Sequence, residues 1–133
     1  FGWSVSLSPD GSTLAVGARK NDDSKKNAGQ VIVYKYDGTE RKWVKRGVPI
    51  LGDGKFDESG YSVSLSHNGD VVAIGAPLDD LSKNKKDWNS GNVVVYDWSG
   101  SDSKWKPRLE LLGEKGRNSF GYSVSLSSDG SVV

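Results

Sequence analysis

Apolar and polar residues alternate without a break over Ser4-Val5-Ser6-Leu7-Ser8, and a period of two predicts a β-strand with two different faces. Pro9-Asp10-Gly11-Ser12 comes next as a turn: Pro fixes φ, Asp bonds its own backbone and Gly accepts positive φ. Thr13-Leu14-Ala15-Val16-Gly17 then predicts a returning strand, so the pair reads as a hairpin. Residues 18–28 are polar and aperiodic and read as a loop. The run 29–36, Gly-Gln-Val-Ile-Val-Tyr-Lys-Tyr, is dense in β-branched and aromatic residues and predicts the third strand. Asp37-Gly38-Thr39 makes the next turn, and Lys42 to Arg46 the fourth strand. Pro49-Ile50-Leu51-Gly52 reads as the lead into a second unit.

That second unit repeats the pattern of the first. The opening Phe1-Gly2-Trp3-Ser4-Val5-Ser6-Leu7-Ser8 returns as Ser59-Gly60-Tyr61-Ser62-Val63-Ser64-Leu65-Ser66 and as Phe120-Gly121-Tyr122-Ser123-Val124-Ser125-Leu126-Ser127. The units start at residues 1, 59 and 120, a period of 58 and then 61 residues. Four extra residues between Ala76 and Gly91, and one fewer between Trp105 and Gly113, account for the difference. The four strand slots of the second unit are Ser62 to Ser66, Val71 to Gly75, Asn92 to Trp98 and Ser103 to Lys106. A repeat of this length holding four short strands and no helix predicts the blade of a β-propeller. The chain divides into blade 1 at residues 1–58, blade 2 at 59–119, and the first hairpin of a third blade at 120–133, an excerpt of a longer array.

The strand faces support stacking. Large Val5 and Leu7 lie opposite small Ser4, Ser6 and Ser8, and Leu14 and Val16 lie opposite Ala15 and Gly17. Small groups on one face and bulky groups on the other suit sheets that lie flat on each other, and a sheet with one wet face would carry Lys, Glu or Thr instead. These serines therefore mark close packing.

The recurring residues resemble the FG-GAP repeats of integrin-α-type β-propellers. Phe1-Gly2 and Phe120-Gly121 match the leading pair, with Ser59-Gly60 as a degenerate form. Gly75-Ala76-Pro77 matches the trailing triplet, Gly17-Ala18-Arg19 matches it without the Pro, and the strands at 29–34 and 91–96 match the segment that comes after it in the family. The likeness is greatest to the many-copy repeats of large algal and bacterial surface proteins. It implies a ring of blades whose loops serve adhesion or ligand binding, outside the cell or at its surface.

The resemblance also implies calcium, held in the family by several Asp or Asn residues between the first two strands. At those positions this chain has only Ser8-Pro9-Asp10-Gly11, Ser66-His67-Asn68-Gly69 and Ser127-Ser128-Asp129-Gly130. One carboxylate, or none in the second copy, falls short of the roughly six oxygens calcium takes. The turns read as plain hairpins, and no cofactor is expected; calcium enters through the resemblance alone.

Lys and Arg number 18 against 17 Asp and Glu, for a net charge of +1. With the signs interspersed, no basic footprint for nucleic acid exists. The longest apolar strings fall far below the roughly 20 residues of a membrane helix, so no membrane insertion is expected. Cysteine is absent, which excludes disulfides, thiol catalysis and thiolate metal sites.

Candidate ligand or partner residues lie in the variable loops. Asp22 and Asp23 in the first unit and Asp79 and Asp80 in the second are weak metal candidates, since lysines flank both pairs. Trp88 has no counterpart in the first unit and is a candidate contact for a sugar ring or a partner protein. Trp43 with Trp105, Tyr34 with Tyr96, and Trp3 with Tyr61 and Tyr122 recur in phase and read as packing at blade junctions. Asp57-Glu58 is replaced by Asn118-Ser119 in the next link, so it does not read as a repeated site. His67 is the only histidine and lacks a nucleophile motif, so no catalytic residue is assigned and the chain does not read as an enzyme.

Three functions fit: a propeller scaffold or adhesion module contacting further repeats or other protein chains, a carbohydrate- or cation-binding module, or a repeat of an extracellular filament.

Overall fold

The computed structural model describes residues 1–80 and 89–133. Among them it shows nine strands and no helix. Strands β1 (Ser4–Leu7), β2 (Thr13–Gly17), β3 (Gln30–Asp37), β4 (Lys42–Lys45) and β5 (Ile50–Leu51) form one sheet. Strands β6 (Ser62–Leu65), β7 (Val71–Ala76), β8 (Asn92–Ser99) and β9 (Lys104–Leu112) form the other. Every pairing within the sheets is antiparallel and joins strands in chain order, save that β3 takes both β4 and β5 along its far edge. Two such meanders side by side are consistent with propeller blades.

The far edge differs from the sequence expectation. Ile50 and Leu51 are not a link but pair with Val31 and Gln30 as β5, and in blade 2 the fourth strand runs on to Leu112. The cause in blade 1 is Gly47, held at φ 82°, which turns the chain out of the sheet between β4 and β5. Blade 2 lacks this residue and absorbs the mismatch as a register shift at Val95/Tyr96.

Register assigns each side chain to a face. Ser6 lies opposite Ala15 and Ala15 opposite Val33, while Val5 lies opposite Val16 and Val16 opposite Ile32. The Ser/Ala face of blade 1 turns to blade 2. There Ala15, Val31, Val33 and Ile50 meet Leu65, Val72, Ile74 and Trp105 in one buried cluster. On the other side of blade 2, Val71, Ala73, Val93 and Val95 are covered by Val124 and Leu126 of the third unit. The expected pairing of a small face with a bulky one is thus the blade junction itself.

The serines do more than leave room. Ser4 Oγ donates to the Gly60 carbonyl at 2.8 Å, and Ser62 Oγ donates to the Gly121 carbonyl at 2.7 Å. Ser6 Oγ accepts from the Leu65 amide at 3.0 Å, and Ser64 Oγ accepts from the Leu126 amide at 3.0 Å. A third pair comes from the far edge: Arg46 and Arg108 donate to the Gly69 and Gly130 carbonyls at 2.7 and 2.6 Å. Each junction is therefore fastened at three repeated places besides its apolar contact.

Residues 120–133 take the place on blade 2 that 59–72 take on blade 1, with Phe120 bridging Gly91 as Ser59 bridges Gly29. Their turn closes as the other two do, the Ser127 amide donating to the Val132 carbonyl and the Gly130 amide to the Ser127 carbonyl, both at 2.9 Å, as Ser8 and Gly11 do in the first unit. The segment carries this turn without a strand ladder on either side.

Backbones approach closely where the small face is smallest. A Cβ on Gly17 would collide with the Gly60 carbonyl and Ser4 Oγ. Gly17→Ala is expected to lower stability by about 1–3 kcal/mol, as overpacked sites do, read as a fall in Tm. Gly38→Ala, where nothing lies within 4 Å, should leave Tm unchanged; equal effects at both positions would contradict the junction described.

Candidate functional site

The hairpin turns at residues 8–12, 66–70 and 127–131 are closed by their own side chains. Asp10 Oδ1 accepts from Ser8 Oγ at 2.5 Å and from the Ser12 amide at 2.9 Å, and Asp129 repeats this with Ser127 and Ser131. These bonds hold both carboxyls below the usual carboxylate range, the serine hydroxyl at the head of the turn being the largest cause. In the second copy Asn68 Oδ1 takes the same two donors, Ser66 Oγ and the Asp70 amide. His67 sits in this turn, its amide donating to the Ser128 carbonyl at 2.7 Å.

The loop aspartates separate into different roles. Asp22 Oδ1 accepts from the Asn27 amide at 2.6 Å, and Asp80 Oδ1 accepts from the Asn89 amide at 2.8 Å. The two are equivalent residues closing equivalent loops. Asp23 is exposed beside them, its amide bonded to Asn21 Oδ1. Trp88 lies outside the described residues. Of the four, Asp79 brings a carboxylate oxygen against those of two other aspartates, and Asp80 lines the same cleft.

That meeting place lies between the blades. The link from β5 to β6 carries Asp53 and Asp57, and the loop after β7 carries Asp79. One carboxylate oxygen from each falls within 4.8 Å of the others. Gly54, Lys55, Asp80, Glu110 and Leu112 complete the wall of an open cleft of about 470 Å3. Asp57 is 5% exposed, while Asn92 Nδ2 bonds both Asp79 Oδ2 at 3.3 Å and Glu110 Oε1 at 3.2 Å. Burial, reinforced by the charge of Asp79, pushes the Asp57 carboxyl up to about 7. Burial, reinforced by Asp53, pushes Asp79 up to about 6. Chemically the cluster can retain protons near neutrality or, once ionised, offer oxygens to a divalent cation.

Sequence reasoning set Asp57 aside because the next link carries Asn118, and that very singularity is what the cleft uses. Equivalence hides it further, since the first-unit counterpart of Asp79 is Asn21: the Asn21 and Asp79 carbonyls accept from Gly29 and Gly91 alike. Glu58 points elsewhere and forms an ion pair with Arg19, whose guanidinium lies 3.8 Å from the Trp3 ring centre. Trp3, Tyr61 and Tyr122 stack in a row with centroids 5.5 and 4.8 Å apart. Trp105 is buried at the junction, its Nε1 donating to the Arg46 carbonyl at 2.9 Å. These aromatics pack between units, whereas Trp43, expected at a junction, is 40% exposed and meets Tyr36 of its own sheet edge-on, ring centres 5.3 Å apart.

The repeat motif keeps its backbone work. Phe1 is exposed and Gly2 has positive φ, Gly60 and Gly121 supply the carbonyls that Ser4 and Ser62 reach, and Gly75 meets Gly121 as Gly17 meets Gly60. Ala18 and Ala76 are buried in equivalent places, and Pro77 is fully enclosed. Residues 1–34 match the family model of the FG-GAP repeat. No curated protein matches the chain.

Folded Asp57 and Asp79 titrate above the ordinary carboxyl value of 3.8. The folded chain therefore holds more protons than the unfolded one between about pH 4 and 7, and the cluster's contribution to stability declines as the pH rises through that window. Asp57→Asn should be more stable than the parent at pH 8, by on the order of 1–3 kcal/mol, and show a flatter dependence between pH 5 and 8 in urea unfolding. A variant weaker than the parent at pH 8 would refute the arrangement.

Proposed function

We propose, on the premise that this chain is built of FG-GAP repeats, that it is a non-catalytic β-propeller segment serving as scaffold or adhesion and protein-interaction module of a surface or secreted protein. One observation carries the reading. The face of blade 1 turned away from blade 2 has the composition of a face that blade 2 keeps buried. Leu7 is 56% exposed where its counterpart Leu65 is 6% exposed, and Trp43 is 40% exposed where Trp105 is 9% exposed. Val5 lies on the same open face. A contiguous apolar patch of this kind marks a contact surface, and the partner that fits it is another blade, from further repeats or from another chain. No helix of the described residues is long and apolar enough to cross a membrane.

Placing a copy of residues 59–119 ahead of Phe1 tests this, since the new joint Ser119-Phe1 reproduces the natural Ser119-Phe120. Arrays gain stability from each added neighbour contact. The extended chain should unfold in a single transition at higher Tm, with tryptophan emission shifted to shorter wavelength as Trp43 is covered. Separate transitions, or an unchanged Tm, would sink the reading.

A second reading, cation binding, is favoured by the convergence of Asp53, Asp57 and Asp79. Calcium at roughly millimolar concentration and pH 8 should then raise Tm relative to chelator, through its linkage to the native state, and Asp79→Asn should abolish the rise. An identical Tm with and without calcium would dismiss it.

A further inference from the structure

The second hairpin turn differs in its chemistry from the other two. In the first and third units an Asp accepts from the serine two places on, Ser12 Oγ donating to Asp10 and Ser131 Oγ to Asp129. The second unit reverses the pair. Asn68 Nδ2 donates to Asp70 Oδ2, while Oδ1 of the same amide accepts from Ser66 Oγ and from the Asp70 amide, each bond at 3.0 Å. Asp70 in turn pairs with Arg46 of blade 1, which also donates to the Gly69 carbonyl at 2.7 Å. Position 68 therefore needs an amide: a carboxylate there would face the Asp70 carboxylate with no proton between them.

That amide stands in the only Asn-Gly step of the chain, and its residue is exposed to water. An Asn side-chain carbonyl is an electrophile within reach of the next backbone nitrogen, and glycine offers that nitrogen with no side chain in the way. Having lost its proton to hydroxide, the Gly69 nitrogen adds to Asn68 Cγ. The N–Cγ bond forms, the Cγ–Nδ2 bond breaks, and Nδ2 leaves as ammonia with a proton taken from water. Water then opens the five-membered imide at either carbonyl, giving Asp or an isomer whose main chain runs through Cγ.

The closed turn opposes this at each reacting atom. The Gly69 amide is donated to the Ser66 carbonyl at 3.1 Å, and the Asn68 amide is held at both its oxygen and its nitrogen. Gly69 is itself buried and wedged so closely that a Cβ on it would strike Thr13 of blade 1. Two of these restraints, Arg46 and Thr13, belong to the neighbouring blade. The attack becomes possible once blade 1 lifts from the turn.

We propose that Asn68 is a deamidation site guarded by the junction with blade 1, so that its modification records each opening of that junction and then weakens the closure. The Asp product sets two carboxylates face to face. The isomer lengthens the main chain ahead of Gly69 and moves the carbonyl that Arg46 holds.

Peptide mapping by mass spectrometry tests this on the full chain, incubated at about pH 8 in buffer and in urea above the unfolding midpoint. A reaction that needs opening runs in proportion to the open population. Conversion at Asn68 should be more than about tenfold faster in urea than in buffer, and in urea it should outpace Asn89 and Asn118, which serines follow. Equal rates with and without urea would refute the guarding, and no lead over Asn89 and Asn118 would refute the site. A double-mutant cycle tests the consequence. Asn68→Asp should lower Tm in the parent but not in an Asp70→Ser background, which restores the Asp and Ser of the other two turns. An equal loss in both backgrounds would show that the facing carboxylates play no part.

Discussion

The close approach of one blade's leading strand to the next blade's opening glycine governs this molecule. Ser4 and Ser62 reach carbonyls of the following unit, and Gly17 and Gly75 have no room for a Cβ beside those carbonyls. Because the backbones meet here, the face must be small, and because the face is small, the opposing one must be bulky to fill the remaining space. Each blade therefore carries two unlike faces, and the order of blades along the chain has a direction. Leu65, Val72 and Ile74 are buried only because Ala15, Val31 and Val33 lie over them.

Much of this was legible in the sequence. Alternation, β-branched runs and the repeat itself located eight of the nine strands to within a residue or two at most ends, and the contrast of Ser/Ala with Val/Leu faces foretold the junction. The ninth element escaped for a local reason: Pro49-Ile50-Leu51 is too short to announce itself, and its pairing depends on Gly47 leaving the sheet. The extension of β9 was obscured by Pro107 and by charges at Arg108 and Glu110, residues that an exposed edge strand accommodates. That the serines bond backbone across the junction, beyond leaving space, is a matter of angle and distance that letters do not encode.

The acidic cleft was hidden for a different reason. Repeat alignment raises what recurs and suppresses what does not, and Asp57 and Asp79 recur nowhere. They come from different blades, 22 positions apart, and are brought together only when one unit lies on the next. Asp22 and Asp80, by contrast, are equivalent and spend their carboxylates on closing their own loops. The recurring carboxyls of Asp10 and Asp129 are held below the ordinary range by their own turns, whereas the singular pair is pushed above it.

The clamped link between the blades bears on how the chain would respond to force. Gly52 donates to the Gly29 carbonyl, Ser59 to the Ala28 carbonyl, and Ser24 Oγ to the Gly52 carbonyl. The segment leaving one blade is thus tied back to that blade on both sides of its turn before it enters the next. Tension along the polypeptide must break these ties before it can draw the link out, and a blade that yields uncovers the apolar face of its neighbour.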